Sequence, residues 1–136
     1  NHYFKNYTSL NRFICYYYQT KSNIYIYLKV NSILEVGVEN NAVNSYLKNY
    51  LLDVTSCDFD KTLKPAYLVG VRTLPFSDSN FDAVICCELL DYLHINNLLN
   101  TLSELSRVSK KYGVISVLYY CIFFLKIMNI LFNRLR

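Results

Sequence analysis

Ile33-Leu34-Glu35-Val36-Gly37 decides the fold, because a short apolar run here stops abruptly at an acid and a glycine. A run of this length and composition favours a buried strand, which we assign to 32–36. The apolar residues that follow the glycine repeat at helical spacing and are Val43, Tyr46, Leu47 and Tyr50. They predict a helix over 41–50. A strand, a loop and a helix therefore follow one another, as in the first half of a βαβ unit.

The same alternation continues along the chain. Further strands are predicted over 54–57, 66–69, 81–87 and 112–118, and a second long helix over 95–108. The apolar residues assigned to one face of that helix are Leu98, Leu99, Leu102, Leu105 and Val108. Strands and helices in alternation predict an α/β fold with a Rossmann-like parallel sheet, right-handed crossovers and helices on both faces, truncated after about strand five.

We divide the chain into three segments. Residues 1–31, rich in Tyr, Asn and Lys, predict an N-terminal helical cap, in which 24–28 alternates like a strand but is interpreted as a short helix. Residues 32–119 form the predicted core, and 120–136 an apolar C-terminal segment of an incomplete domain. Because the chain starts without methionine and stops in an apolar, basic stretch, we expect a fragment of a longer protein.

Composition favours one packed domain. The 136 residues are 53% hydrophobic and carry a net charge of +4, which argues against a disordered chain. The five cysteines are odd in number and lack the C-x-x-C spacing, so a reducing, cytoplasmic setting is expected. No secretory signal is visible at the N-terminus. Residues 114–132 have the length of a membrane span, but Lys126 and Asn129 interrupt them, and we expect no span.

The tips of the first two strands carry the residues of a nucleotide-type site. Ligands of open α/β sheets lie beyond the carboxyl ends of the strands. Gly37 lets the backbone approach a ligand closely, and Glu35 can present a carboxylate. Asp58 follows about twenty residues later, where a carboxylate accepts hydrogen bonds from ribose hydroxyls or caps the backbone instead. Phe59 either offers its ring to an adenine or belongs to the core.

Five landmarks in one order resemble the class I S-adenosylmethionine-dependent methyltransferases, in the group that includes the ubiquinone and menaquinone biosynthesis enzymes. They lie at 33–37, 57–60, 74–84, 87–93 and 102–111. The third is the most specific, with Leu74-Pro75-Phe76 followed by Phe81-Asp82-Ala83-Val84. The resemblance implies that residues 32–119 bind S-adenosylmethionine and that its methyl group passes to a small-molecule or lipid-like acceptor.

The resemblance also implies a set of cofactor-binding residues. In the family the first loop passes the methionine part of the cofactor, the second acid holds the ribose, and the residues before Leu-Pro-Phe meet the adenine. The end of the fourth strand lines the methionine end. The corresponding residues here are Glu35, Gly37, Asp58, Phe59, Gly70, Val71 and Cys87. No metal is expected, since the neighbours Cys86 and Cys87 face opposite sides of a strand.

Two departures from the family pattern support a rival interpretation. Glu39 stands where the family has a second glycine, and Gly70 where it often has an acid that accepts from the adenine amino group. A degenerate, catalytically inactive binding or partner subunit is therefore the alternative to an active enzyme. A nucleic-acid binder that uses Tyr16–Tyr18 and neighbouring lysines is a third hypothesis, which we disfavour.

No catalytic residue is assigned. The methyl group of a sulfonium is already activated, so orientation contributes most of the rate. His94 or Asp91 can be considered as a general base, against the simpler interpretation of a surface histidine and a helix-capping aspartate. The family sheet has seven strands and five are predicted here, which leaves an apolar edge uncovered. That edge predicts self-association or poor solubility.

Overall fold

The computed structural model describes Tyr17 and residues 29–38, 41–50, 52–87 and 89–116. The strands in these ranges are β1 (Ser32–Val36), β2 (Asp53–Asp58), β3 (Tyr67–Leu68), β4 (Phe81–Cys87) and β5 (Ser109–Ser116). The helices are α1 (Ala42–Lys48) and α2 (Ile95–Val108), and short 3-10 turns cover Lys61–Leu63 and Leu90–Tyr92. In these ranges no helix has the length and hydropathy needed to cross a membrane.

All neighbouring strands of the sheet are parallel, in the order β3-β2-β1-β4-β5. β2 and β3 follow β1 on one side of it, and β4 and β5 lie on the other side of β1. The strand order therefore reverses between β1 and β4, where Glu35 pairs with Ile85. In open α/β sheets, ligands bind beside such a reversal.

Each face of the sheet carries a helix and a hydrophobic core, as predicted. Successive residues of a strand point to opposite faces. Leu34 and Cys86 accordingly belong to the core under α2, whereas Ile33 and Cys87 belong to the core under α1. The predicted opposite orientation of the two adjacent cysteines is thereby observed in the structure.

The buried face of α2 differs at one residue from the predicted face. Leu99 is 54% exposed, while Thr101 is fully buried. At 100° per residue, Leu99 turns away from the stripe that Leu98 and Leu102 form, and Thr101 lies inside that stripe. Assigning Leu99 to the core face was therefore wrong, because hydrophobicity was given more weight than helical angle.

Most predicted boundaries are close to those observed, and two strands differ. β1, β4 and α2 have the predicted bounds, whereas β3 contains only two residues. β5 begins at Ser109, three residues before the predicted Tyr112, because Ser109 pairs with Phe81 across a register shift. The predicted helical cap lies outside the described residues apart from Tyr17 and 29–31, and the predicted C-terminal segment, 120–136, lies wholly outside them. The expected uncovered edge thus stays a prediction.

Asp82 ties the amino ends of three strands together. Its Oδ2 accepts hydrogen bonds from the backbone N–H groups of Asn31 and Ser32, both at 3.0 Å. Its Oδ1 accepts from Lys110 Nζ at 2.9 Å, and its own N–H donates to Ser32 Oγ at 3.0 Å. The hydrogen bond from Lys110, followed by those from Ser32 and Asn31, holds the pKa of Asp82 well below its usual range. This aspartate of the most specific landmark is therefore structural and lies at the edge opposite the predicted site.

This lowered pKa predicts a loss of stability in acid. The unfolded aspartate has a pKa of about 3.9, so the ionised Asp82 stabilises the fold fully above about pH 4, and the contribution disappears as the pH falls further. In thermal melts followed by circular dichroism, Asp82→Asn should melt below the unmodified chain at pH 7, with the difference shrinking below pH 4. Asp53→Asn, which alters an exposed aspartate at the same edge, should leave the melt unchanged. A constant difference between pH 7 and pH 2 would contradict the assignment.

Candidate functional site

Asp58 is the centre of the candidate site, at the carboxyl end of β2. Its side chain is buried, and both carboxylate oxygens are held by backbone N–H groups. Val38 N–H donates to Oδ2 at 2.9 Å, and Asp60 N–H donates to Oδ1 at 2.8 Å. A carboxylate has about four lone-pair positions, so two remain for hydroxyl donors. The backbone fixes this group without using up its capacity as an acceptor.

Gly37 joins the end of β1 to the same region. Its N–H donates to Cys57 O at 3.0 Å, and its φ is +83°, a conformation that residues with a Cβ rarely adopt. A Cβ at this position would meet the Leu89 side chain at 3.5 Å, an ordinary contact. Glycine is therefore required by the backbone conformation rather than by a close neighbour.

Glu35 lies two residues earlier on β1 and is 4% exposed. It pairs with Ser56 on β2 and with Ile85 on β4. Burial, with smaller contributions from the charges of Asp58 and Glu35, raises the pKa of the Cys57 thiol to about 12. Cys57 therefore stays a protonated thiol at neutral pH and is excluded as a nucleophile.

The exit of β3 lies beside Asp58. Val69 N–H donates to Asp58 O at 2.8 Å. Gly70 follows, and among the described residues no heavy atom lies within 4 Å of the place where its Cβ would stand. Val71 is buried in the core under α2, so only its backbone borders the site. Phe59 is 75% exposed. The alternative that Phe59 belongs to the core is therefore wrong, and its ring is open to a ligand.

The end of β4 completes this edge of the sheet. Cys87 is buried in the core under α1, and Leu89 beyond it faces Gly37. The predicted site residues thus lie at the carboxyl ends of β1 to β4. Hydrogen bonds link the carboxyl ends of β1, β2 and β3 to one another. Glu39 lies outside the described residues. Leu89 and the Val38 amide were missed. Leu89 lies within the landmark 87–93, but no role was assigned to its side chain, and Val38 contributes only a backbone group.

The loop between β3 and β4 is held by α2, an arrangement that the sequence analysis also missed. The Arg107 guanidinium donates to the carbonyl oxygens of Leu74 at 3.1 Å and Phe76 at 2.7 Å. It also binds both carboxylate oxygens of Glu104, at 2.8 and 2.9 Å, and Asp78 Oδ1 at 2.8 Å. Glu104 in turn accepts from Leu74 N–H at 2.9 Å. The i,i+3 spacing of Glu104 and Arg107 was the available signal.

The candidate bases and metal ligands have simpler explanations. His94 is exposed and is the N-cap of α2, where its Nδ1 accepts from Asn96 N–H at 3.4 Å. The capping position expected for Asp91 is thus held by His94, because Asp91 lies in the preceding 3-10 turn. Within the described ranges, no group of three His, Cys, Asp or Glu side chains is arranged to hold a metal ion.

Comparisons with known proteins show the family and the fold of this chain. The family model described as "Methyltransferase domain" matches residues 34–117. No match was found among the curated proteins. The PH0226 protein from Pyrococcus horikoshii is a similar solved structure, with 21% identity and a TM-score of 0.61 over 76% of this chain and 56% of that protein.

Two further solved structures share the fold. The N-methyltransferase NodS from Bradyrhizobium japonicum, in complex with S-adenosyl-L-homocysteine, is 15% identical with a TM-score of 0.60, over 73% of this chain and 55% of NodS. An S-adenosylmethionine-dependent methyltransferase from Archaeoglobus fulgidus is 16% identical with a TM-score of 0.58, over 76% of this chain and 51% of that enzyme. The chain spans about half the length of these proteins.

Proposed function

Because the chain belongs to the methyltransferase domain family, of the class I S-adenosylmethionine-dependent kind, we propose that it binds S-adenosylmethionine at the carboxyl edge of its sheet. The observation that carries the proposal is the Asp58 carboxylate. Hydrogen bonds from Val38 and Asp60 orient it, and its remaining lone pairs suit the two hydroxyls of a ribose. The ring of Phe59 lies open beside it for the base.

The neighbouring residues fit the other end of this cofactor. Gly37 turns the chain away at the end of β1, and the buried Glu35 carboxylate suits a cationic amino group. When bound, S-adenosylmethionine supplies a methyl group on a positively charged sulfur. The contribution of this chain is to bind and orient, so we assign no catalytic acid or base. The proposed reaction is methyl transfer to a small-molecule or lipid-like acceptor, in the cytoplasm.

Titration with S-adenosylhomocysteine by calorimetry tests the binding step. We expect saturable heat with a dissociation constant no weaker than high micromolar. Glu39→Gly should bind about tenfold more tightly, because it restores the glycine at which the family's backbone approaches the cofactor. Asn40→Gly is the matched control, since it introduces a glycine at the next position without removing the Glu39 side chain, and it should bind like the unmodified chain.

The competing hypothesis of a degenerate binding subunit makes the opposite forecast. It requires no heat from the unmodified chain, at any concentration up to the millimolar range. Absence of binding in both the unmodified chain and Glu39→Gly would overturn the proposed function.

A further inference from the structure

The segment that leaves β3 borders the place where the proposed function puts the adenine, and the inference below rests on that function. The segment comprises Val69, Gly70, Val71 and Arg72. It is attached to the centre of the site, because Val69 N–H donates to the backbone oxygen of Asp58 at 2.8 Å. Gly70 therefore directly follows a residue that is hydrogen-bonded to Asp58, the residue that would hold the ribose.

The arrangement of the strands decides which end of the ligand meets this segment. β2 lies between β1 and β3, so a ribose on Asp58 leaves the two ends of an adenosyl ligand to extend over the tips of those strands. The β1 side presents the carboxylate of Glu35, which suits the cationic amino-acid end. The exposed ring of Phe59 suits a flat base. The base then lies over the exit of β3, beside Gly70.

No side chain of this segment can accept a hydrogen bond from an amino group on the base. The exocyclic N6 group of adenine donates hydrogen bonds, so its recognition requires an acceptor. Two valines and a glycine carry no polar side-chain atom, and Arg72 is only a donor. The Gly70 carbonyl already accepts from Thr73 N–H at 3.4 Å. In the part of the chain that the structure describes, no heavy atom lies within 4 Å of a Cβ built on Gly70, so none of these residues blocks a larger base there either.

We propose that the base pocket of this protein is open at N6, so that it accepts adenosyl ligands enlarged or alkylated at that nitrogen. Gly70 is the residue that determines this selectivity, because it supplies neither a side-chain acceptor for N6 nor a side chain that would exclude a substituent. The protein thus binds N6-substituted adenosyl thioethers about as tightly as the unsubstituted one.

Calorimetric titration of the full 136-residue chain with S-adenosylhomocysteine and with N6-benzyl-S-adenosylhomocysteine tests the proposal. The two dissociation constants should agree within about fivefold. Gly70→Asp places a carboxylate in the open space, so it should tighten S-adenosylhomocysteine by about threefold to tenfold and weaken the benzyl analogue by more than about tenfold. Gly70→Ala adds a Cβ without an acceptor, and both constants should stay unchanged.

The outcomes separate this inference from the function on which it rests. If S-adenosylhomocysteine binds and the benzyl analogue binds more than fivefold more weakly, the open pocket is wrong and the proposed function stands. If neither ligand binds to the unmodified chain or to Glu39→Gly, both are wrong. If Gly70→Asp has the same ratio of the two dissociation constants as the unmodified chain, Gly70 does not determine the selectivity. Circular dichroism checks that the variants fold, and if Gly70→Asp does not, the two constants of the unmodified chain decide.

Discussion

Arg107→Ala should destabilise the fold, with the largest stability effect that we expect from a single substitution outside the core. The change removes five hydrogen bonds to Leu74, Phe76, Asp78 and Glu104. The Arg107 side chain is 30% exposed and that of Glu104 only 20%. The loss therefore leaves a largely buried carboxylate without its cation. A fall in the melting temperature of roughly 10 °C measures it.

The controls separate geometry from charge. Arg107→Lys keeps the charge but loses the planar fork that reaches two carbonyls and a carboxylate together, and we expect it to recover less than half of the lost stability. Arg72→Ala removes an exposed arginine from the same loop and should leave the melt unchanged. If Arg107→Ala melts within 2 °C of the unmodified chain, the loop between β3 and β4 does not depend on α2.

The interaction of Arg107 with Glu104 is expected to be sensitive to acid as well. The hydrogen bond from Arg107 holds the pKa of Glu104 below its ordinary value. The pKa of Glu104 is shifted in the same direction as that of Asp82. The ionised form of Glu104 therefore stabilises the fold above the unfolded pKa, and this contribution is lost as the pH falls. Two landmarks of the family resemblance, the Leu-Pro-Phe loop and the end of α2, are thus connected by the hydrogen bonds that Glu104 and Arg107 make to Leu74 and Phe76.

The elements that were predicted with the right bounds have a clear burial pattern, which is almost continuous along β1 and β4 and follows one face of α2. β1, β4 and α2 are apolar on the faces that meet the two cores, and their patterns end sharply at Gly37, Cys87 and Val108. β3 carries no such pattern, because both of its residues are exposed. β5 starts with Ser109 and two lysines, and only pairing with β4 makes that stretch a strand. Pairing depends on the assembled sheet and leaves no local signal.

In the candidate site, too, some residues could be predicted from the sequence and others could not. Asp58 and Gly37 could be predicted because the spacing from a glycine at one strand tip to an acid at the next follows from the length of a βαβ unit. The Val38 amide could not, since every residue except proline carries the same donor. The reach of Arg107 to Leu74, 33 residues away, also depends on how the helix packs on the loop. Side-chain identity therefore revealed the acids of the site and not the groups that orient them.

Asp58→Asn should weaken the binding of S-adenosylhomocysteine by about tenfold to a hundredfold. Hydrogen bonds to a charged acceptor are stronger than those to a neutral one, and the amide keeps only one oxygen for the two hydroxyls of a ribose. Because Val38 N–H donates to this carboxylate at 2.9 Å, some stability will also be lost, and the melt must be measured in parallel. Asp53→Asn, at the amino end of the same strand, is the matched control and should keep the affinity of the unmodified chain.

The comparison that decides the role of Asp58 is between affinity and stability. Glu104→Gln is destabilised through the clamp with Arg107 but alters no residue of the candidate site, so it should retain S-adenosylhomocysteine binding at a temperature well below its melt. Asp58→Asn should lose affinity under the same conditions, even if its melt is the higher of the two. Should the affinities of both variants simply follow their melting temperatures, Asp58 would be a structural cap of the β1 loop and the ribose would bind elsewhere.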